Sequence, residues 1–308
     1  MTEAPIWVLE DPRAGTAAQA LGIAERLDVP FRVVPLRWSA WAGLPWPVPT
    51  LLGLADRGAF TPPWPKLVIS AGRRAAPVSR WLRARGVRTV HAMRPGLGAG
   101  DFDLLVIGAH DRPRPAANLL EIQGATHRIT PAKLEAAATT AFPDLAALPR
   151  PRVGLLLGGP VRAEGMDPGT AARIASQAAG LGNSVLATTS RRSGQAAAAA
   201  LAGALKGRPH HLYPFGGGGA NPLHGILSLS DVLVVTGDSI SMLSEALMTP
   251  APLFIADPGG LGPRHRAVAD SLFAAGLAAP LGGPPPPPRA ALDETARVAA
   301  EIRARGWV

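Results

Sequence analysis

Val232-Leu233-Val234-Val235-Thr236-Gly237-Asp238-Ser239-Ile240-Ser241-Met242-Leu243-Ser244-Glu245 decides how this chain is read. Its first four residues are an apolar run of strand length, Thr236-Gly237-Asp238 make a turn, and a helical pattern follows. A strand feeding straight into a helix is half of a parallel α/β unit, and such sheets bind ligands outside the carboxyl ends of their strands. Ser239 is placed to cap the helix, while the free amides at its start and the Ser241 hydroxyl face an anion. Glu245, one turn past Ser241, shares that face, within reach of a ribose diol. The competing structural role has Asp238 or Ser239 only capping the helix and Glu245 paired with an arginine.

Outward from this stretch the same alternation repeats. Val153 to Leu157, Ser184 to Thr188, His211 to Phe215 and Leu253 to Ala256 are further strands, each followed by a loop and a helical pattern. Upstream, Ile6 to Leu9, Phe31 to Leu36, Leu67 to Ser70, Thr89 to Ala92 and Asp103 to Ile107 read as strands, with helices over Gln19 to Leu27 and Ala75 to Arg85. Between Arg37 and Pro65 the regularity breaks: Trp38, Trp41, Trp46 and Trp64 stand among prolines, a composition for an ordered aromatic excursion.

The 308 residues suit two domains of about 150 residues each. Proline-rich Asp144 to Pro151 reads as the linker, which gives a first Rossmann-like domain over 1–149 and a second over 150–283. Residues 284–308 hold a stiff polyproline run, Pro284 to Pro288, and a helix from Ala290 to Arg305 that would cross back to the first domain. The expected fold is α/β, two parallel-sheet domains facing a cleft.

Hydrophobic residues at 47% and charged residues at 17% place the chain outside the disordered class. The absence of cysteine removes disulfides, thiolate ligands and cysteine nucleophiles. The net charge of +9 comes almost wholly from arginine, since only Lys66, Lys133 and Lys206 are lysines. That skew points to coding bias, so the charge alone names no partner and no nucleic acid is expected. Met1 to Leu9 lacks the basic, apolar pattern of an export signal, and no apolar run approaches the ~20 residues of a membrane span. A cytoplasmic protein is expected, with any peripheral lipid contact at the inner face of the membrane.

Three more strand ends carry anion chemistry or its imitation. Gly158-Gly159-Pro160-Val161-Arg162 lets backbone amides approach a phosphate and adds a guanidinium, although Gly-Gly-Pro also makes ordinary turns. Thr188-Thr189-Ser190-Arg191-Arg192-Ser193 packs hydroxyl donors with two guanidinium groups, although a solvated loop would have the same composition. Phe215 to Asn221, with four consecutive glycines, suits a connection better than a phosphate cradle. Gly96-Leu97-Gly98-Ala99-Gly100 lacks the spacing of a dinucleotide loop, and no Walker loop exists. The histidines, including the adjacent His210 and His211, have no metal-site spacing, so neither a metal nor a tightly bound cofactor is expected.

Trp7-Val8-Leu9 with Asp11, Gly15 and Gln19, then Ser70-Ala71-Gly72-Arg73-Arg74, Gly158-Gly159-Pro160 with Arg162, Thr189 to Arg192 and Val235 to Glu245 together resemble the mitochondrial-fission Elm family. Bacterial members of that family are regarded as glycosyltransferases or nucleotide-sugar enzymes of the glycosyltransferase-B (GT-B) kind. The resemblance implies a nucleotide-diphosphate sugar as substrate, held mainly by the second domain. Its donor residues would be Gly158, Gly159, Arg162, Thr189, Ser190, Arg191, Arg192, Gly237, Asp238, Ser239, Ser241 and Glu245. Glu245 would hold the ribose and Ser239 with Ser241 the diphosphate. Gly15, Gln19, Gly72 and Arg73 would lie on the acceptor side, and the acceptor would be lipid-linked or an envelope glycan.

Pro12, Thr16 and Val161 stand where the family favours glycine, histidine and serine, which bears on the first-domain loop and hence on catalysis. Inverting transfer needs a general base but no obligatory metal. Asp11, His110 and Asp111 are the candidates, although His110-Asp111 also fits a capped turn. A nucleotide-sugar epimerase would share these features, and a non-catalytic adaptor that recruits partners would share the fold.

Overall fold

The computed structural model describes residues 4–160 and 165–308. Two compact units emerge, Met1–Arg128 with Asp293–Val308, and Ile129–Leu292.

In the first unit β1 (Ile6–Glu10), β2 (Phe31–Pro35), β3 (Leu67–Ala71), β4 (Arg88–Ala92), β5 (Leu104–Gly108) and β6 (Leu119–Ile122) form one parallel sheet in the order β2-β1-β3-β4-β5-β6. Its central strands are apolar on both faces, as a sheet covered on both sides requires. One face buries Ile6, Val8, Ile69, Val90 and Val106 against helix α1 (Ala14–Leu27) and the C-terminal helix Glu294–Ala304. On the other face, Trp7, Leu9 and Val68 pack against the aromatic excursion and helix α2 (Ala76–Arg83), through Phe60, Trp64, Val78 and Leu82. The excursion is ordered as expected, held by edge-on contacts of Trp7 with Phe60 and Trp64. Strand β6 is absent from the sequence reading. The chain reaches it from β5 without an α-helix, through a single-turn 3-10 segment, Ala109–Asp111, and the Pro113 and Pro115 stretch.

The second unit contains β7 (Arg152–Leu157), β8 (Ser184–Thr189), β9 (His210–Tyr213), β10 (Val232–Thr236), β11 (Leu253–Ala256) and β12 (Ala279–Pro280), parallel in the order β12-β11-β10-β7-β8-β9. Helices α3 (Pro131–Ala136) and α4 (Pro143–Ala146) precede the sheet. Then α5 (Pro168–Ala179), α6 (Gln195–Ala204), α7 (Leu223–Leu229), α8 (Ile240–Ala246) and α9 (Pro263–Ala274) alternate with its strands. The C-terminal helix is α10.

The unit boundaries differ from the expected 149/150 division. Ile129, Leu134 and Leu145 belong to the core of the second unit with Ile226, Leu243 and Leu253, so the chain changes unit near residue 128. The proline-rich stretch is largely exposed but is anchored to the second unit by buried Leu145, and just before it Phe142 packs where a side chain on Gly225 would stand. The tail divides as well. Its polyproline part stays with the second unit, where Arg289 donates to the carbonyls of Leu247 and Ala251, both at 3.1 Å. Helix α10 belongs to the first unit, where Thr295 Oγ1 accepts from His127 N at 3.0 Å and Glu294 accepts from Gln123 N at 2.8 Å.

Each sheet has one point where the strand order reverses, between β1 and β3 in the first unit and between β7 and β10 in the second. The loops leaving these strands flank the crevice where open α/β sheets bind ligands. They are the loops that carry Asp11 and Gly72 in the first unit, and Gly158 and Asp238 in the second.

Candidate functional site

In the second unit the reversal point is closed by a short relay. Gly158 N donates to Thr236 Oγ1 at 2.7 Å, and that hydroxyl donates to Asp238 Oδ1 at 2.7 Å. The glycines are required by packing between loops. A Cβ on Gly158 would strike Asp238 Oδ1, and one on Gly159 would strike the carbonyl of Arg192. Arg192 Nη2 in turn donates to the Asp238 carbonyl at 3.2 Å. Three strand-end loops, distant in sequence, thus form one body that fixes the Arg192 guanidinium beside the start of α8. Asp238 is buried, and its Oδ2 has no hydrogen-bond partner among the described residues.

Ser239 occupies the N-cap position of α8 but makes no side-chain capping bond, which leaves its hydroxyl uncommitted among the described residues. Ser241 is partly buried one turn before Glu245. Glu245 is also partly buried and makes no hydrogen bond or ion pair among the described residues, and burial pushes its carboxyl up from 4.5 to about 7. The arginine partner that a purely structural role calls for is absent among those residues.

A cavity of about 690 Å³ adjoins this body, lined by Pro160, Asp167, Asp238, the Pro258–Pro263 loop and His265. The loop after β11 was missed by sequence reasoning, although Gly259-Gly260-Leu261-Gly262 at a strand end, opening a helix at Pro263, is the signal that singled out the other loops. His265, on the first turn of α9, has its basicity lowered by burial. The Arg192 and Arg264 charges add to that effect and Asp238 opposes it.

Several other expected donor residues also have structural contacts. Thr189 Oγ1 accepts from Phe215 N at 2.9 Å, and Ser190 Oγ accepts from Arg192 N at 3.2 Å, so both hydroxyls shape the loop after β8. Buried Ser193, the last residue of that loop and not among the expected donor residues, ties it to β7 through the Leu157 carbonyl at 2.8 Å. Arg191 is exposed, Gly237 donates its N–H to Ala256 O at 2.9 Å, and Arg162 lies outside the described residues.

In the first unit Asp11 sits at the reversal point, but both its oxygens are engaged. Oδ1 accepts from Arg13 N at 2.8 Å and Oδ2 from Trp38 Nε1 at 3.0 Å. Asp11 therefore anchors the excursion to the β1 loop. Gly15 and Gln19 are on α1, where Gln19 is buried and its carbonyl accepts from Thr126. Gly72, with φ of +80°, forms the turn after β3, and a Cβ added there would stand 2.9 Å from the Thr16 methyl. Arg73 beside it is exposed. His110 and Asp111 form the 3-10 turn after β5, their side chains 3.8 Å apart, and the Arg94 side chain donates to the Asp111 carbonyl. They lie two strands away from the β3 edge of the reversal point, so the structure does not gather Asp11, His110 and Asp111 around one strand end.

Among the described residues no helix is long and apolar enough to cross a membrane, and no group of three metal-binding side chains comes together.

Two parallel sheets, each with helices and a strand-order reversal, make the GT-B fold. Similar solved structures include Os79 of O. sativa in complex with UDP, with a TM-score of 0.56 and 13% identity over 98% of this chain and 92% of that one. The calicheamicin glycosyltransferase CalG4 is similar with a TM-score of 0.52 and 12% identity, over 100% of this chain and 92% of that one. Residues 14–306 match the family described as mitochondrial fission ELM1, and the chain belongs to that family. A curated relative, the mitochondrial fission protein ELM1 of Arabidopsis thaliana, is 26% identical over 219 residues, 62% of this chain and 51% of that protein. The chain thus spans about half the length of that relative.

Proposed function

We propose that the protein is a glycosyltransferase that takes its sugar from a nucleoside-diphosphate donor held by the second unit. Glu245 carries this reading: a carboxylate with no protein partner among the described residues, pushed up by burial and one turn from Ser241, is poised for a ribose diol. The uncommitted Ser239 hydroxyl, the Ser241 hydroxyl and the Arg192 guanidinium would receive the diphosphate, with Arg191 and Arg162 as supporting charge. Os79, a protein of the same fold, was solved with UDP. Gly158, Gly159 and Asp238 act by holding the loops in register. Asp11 positions the first-unit loop through both its oxygens, and the proposed acid–base pair is the His110–Asp111 couple, in which Arg94 also pairs with Asp111. The chemistry assigned to these residues requires no metal.

The test is a thermal-shift titration with UDP, GDP, CDP, dTDP and CMP on the wild type and on Glu245→Ala. A ligand at a hundred times its Kd stabilises the native state by about 2.7 kcal/mol. One responsive nucleotide whose effect is lost in Glu245→Ala is expected; silence across the panel overturns the reading in favour of an adaptor.

A peripheral lipid contact is a second reading, favoured by the excursion of the first unit. Trp41 is 62% exposed, with Leu44, Val48 and Leu52 also exposed. Arg37 and Arg57 on the same excursion are exposed as well and would attract anionic headgroups at the cytoplasmic face.

A further inference from the structure

Parallel neighbours in a sheet are normally joined by a crossover helix, which covers the face between them. The connection from β5 to β6 has no such helix among the described residues. It runs as a 3-10 turn and an extended stretch containing Pro113 and Pro115, whose rings lack the N–H an α-helix interior needs. Side chains on a strand alternate between faces. Leu104 and Val106 therefore enter the core beneath α1 and α10, while Leu105 and Ile107 point to the other face. There α2 covers only part of the sheet, and a cavity of about 580 Å³ remains where a crossover helix would pack.

The floor of this cavity is apolar, made by Leu105, Ile107 and Leu119, and its rim carries Arg94, Arg112 and Arg114. Its walls are fixed, since Asn118 Nδ2 donates to the carbonyls of Ala99 at 3.1 Å and Phe102 at 2.9 Å. The nearby acids are already engaged: Asp111 by Arg94, and Asp101 by Arg80. Arg112 and Arg114 have no ion-pair partner among the described residues, so the rim holds two uncompensated positive charges above hydrocarbon.

We infer that this pocket of the first unit binds a small amphipathic anion, its apolar body on Leu105, Ile107 and Leu119 and its phosphate or carboxylate head on Arg112 and Arg114. The volume falls within the range of about 300–1,000 Å³ common for small-molecule sites. Bidentate guanidinium contacts suit an oxyanion head. The inference goes beyond the donor reading and is independent of it, because it uses only residues of the first unit.

Calorimetric titration of the full chain with monomeric decyl phosphate, below its micelle concentration, tests the site. Inorganic phosphate and decanol serve as the head and the body alone. Decyl phosphate is expected to bind at least about tenfold more tightly than either fragment, a difference of about 1.4 kcal/mol. The double variant Arg112→Asn, Arg114→Gln is expected to weaken it at least about tenfold while leaving the melting temperature unchanged. Asparagine suits the left-handed backbone of Arg112, at φ of +45°. Binding of decyl phosphate no tighter than a fragment, equal affinity in the double variant, or binding only to the same headgroup in vesicles would each overturn the inference.

Discussion

Thr236 gives its hydroxyl hydrogen to Asp238 across 2.7 Å and accepts the Gly158 N–H with the same oxygen, so one side chain joins the ends of two neighbouring strands. Thr236→Val keeps the shape but leaves a buried N–H without an acceptor. The expected cost is about 1–3 kcal/mol, read by chemical denaturation, and Thr236→Ser should recover most of it.

Gly159→Ala forces a methyl group against the Arg192 carbonyl. Overpacking of this kind costs about 1–3 kcal/mol. In a protein of this size each kcal/mol lowers the melting temperature by about 2–4 °C. Nucleotide binding should weaken with it, because the displaced loop is the one that carries Arg192. A stability loss with unaltered nucleotide affinity would separate the loop from the donor site.

Glu245 makes the stability pH-dependent in a direction set by its raised pKa. Folded protein holds the proton up to about 7, whereas the unfolded chain releases it near 4.5. Folding takes up a proton between these values, so the group favours the folded state most below 4.5, and that contribution is lost as pH rises through about 7. Glu245→Gln lacks the ionisation. Its melting temperature relative to wild type should therefore rise between about pH 5 and about pH 8, and a flat difference would show that the carboxyl titrates normally.

Much of this architecture was legible from the chain because parallel strands buried on both faces are uninterrupted apolar runs. Val153 to Leu157 and Val232 to Val235 could be nothing else at that length. Thr236 to Glu245 was legible as a turn between strand and helix because a strand end that opens a helix is a local pattern. What escaped depended on contacts between distant segments. Gly158 and Gly159 looked like a phosphate cradle, while their need for hydrogen in place of a side chain comes from Asp238 and Arg192. Leu145 lay in a proline-rich stretch with the composition of a linker, and only the core around Ile226 shows that it is buried. The β5–β6 connection broke the expected alternation because two prolines in a short segment exclude a helix.

Arg289 reaches from the polyproline tail to the carbonyl of Leu247, at the end of α8, and to that of Ala251, just before β11, and burial lowers its basicity. Arg289→Ala leaves those carbonyls without this donor, with an expected loss of about 1–3 kcal/mol. Limited proteolysis should then cut within residues 281–292 sooner than in wild type. An unchanged cleavage pattern would mean that the prolines alone hold the segment.

Trp41→Ala with Leu44→Ser tests the lipid contact by sedimentation with anionic vesicles. Wild type is expected to bind at low salt and release as salt rises, because headgroup attraction is screened within about a Debye length. The variant should bind more weakly at every salt concentration, and equal sedimentation of both proteins would remove the excursion from the membrane question.

The last helix closes the first unit: Val298 and Ile302 lie in the same core as Ile6 and Val8, with the whole second unit between them in sequence. A ribosome delivers these parts in an order that the finished core does not follow. The first sheet is made early, with α1 over one face, yet the helix that completes that face is made only after the whole second unit. A chain cut at residue 292 would therefore keep every residue of the second unit yet leave the first sheet without Val298 and Ile302 on one face, apolar surface of the kind that chaperones bind.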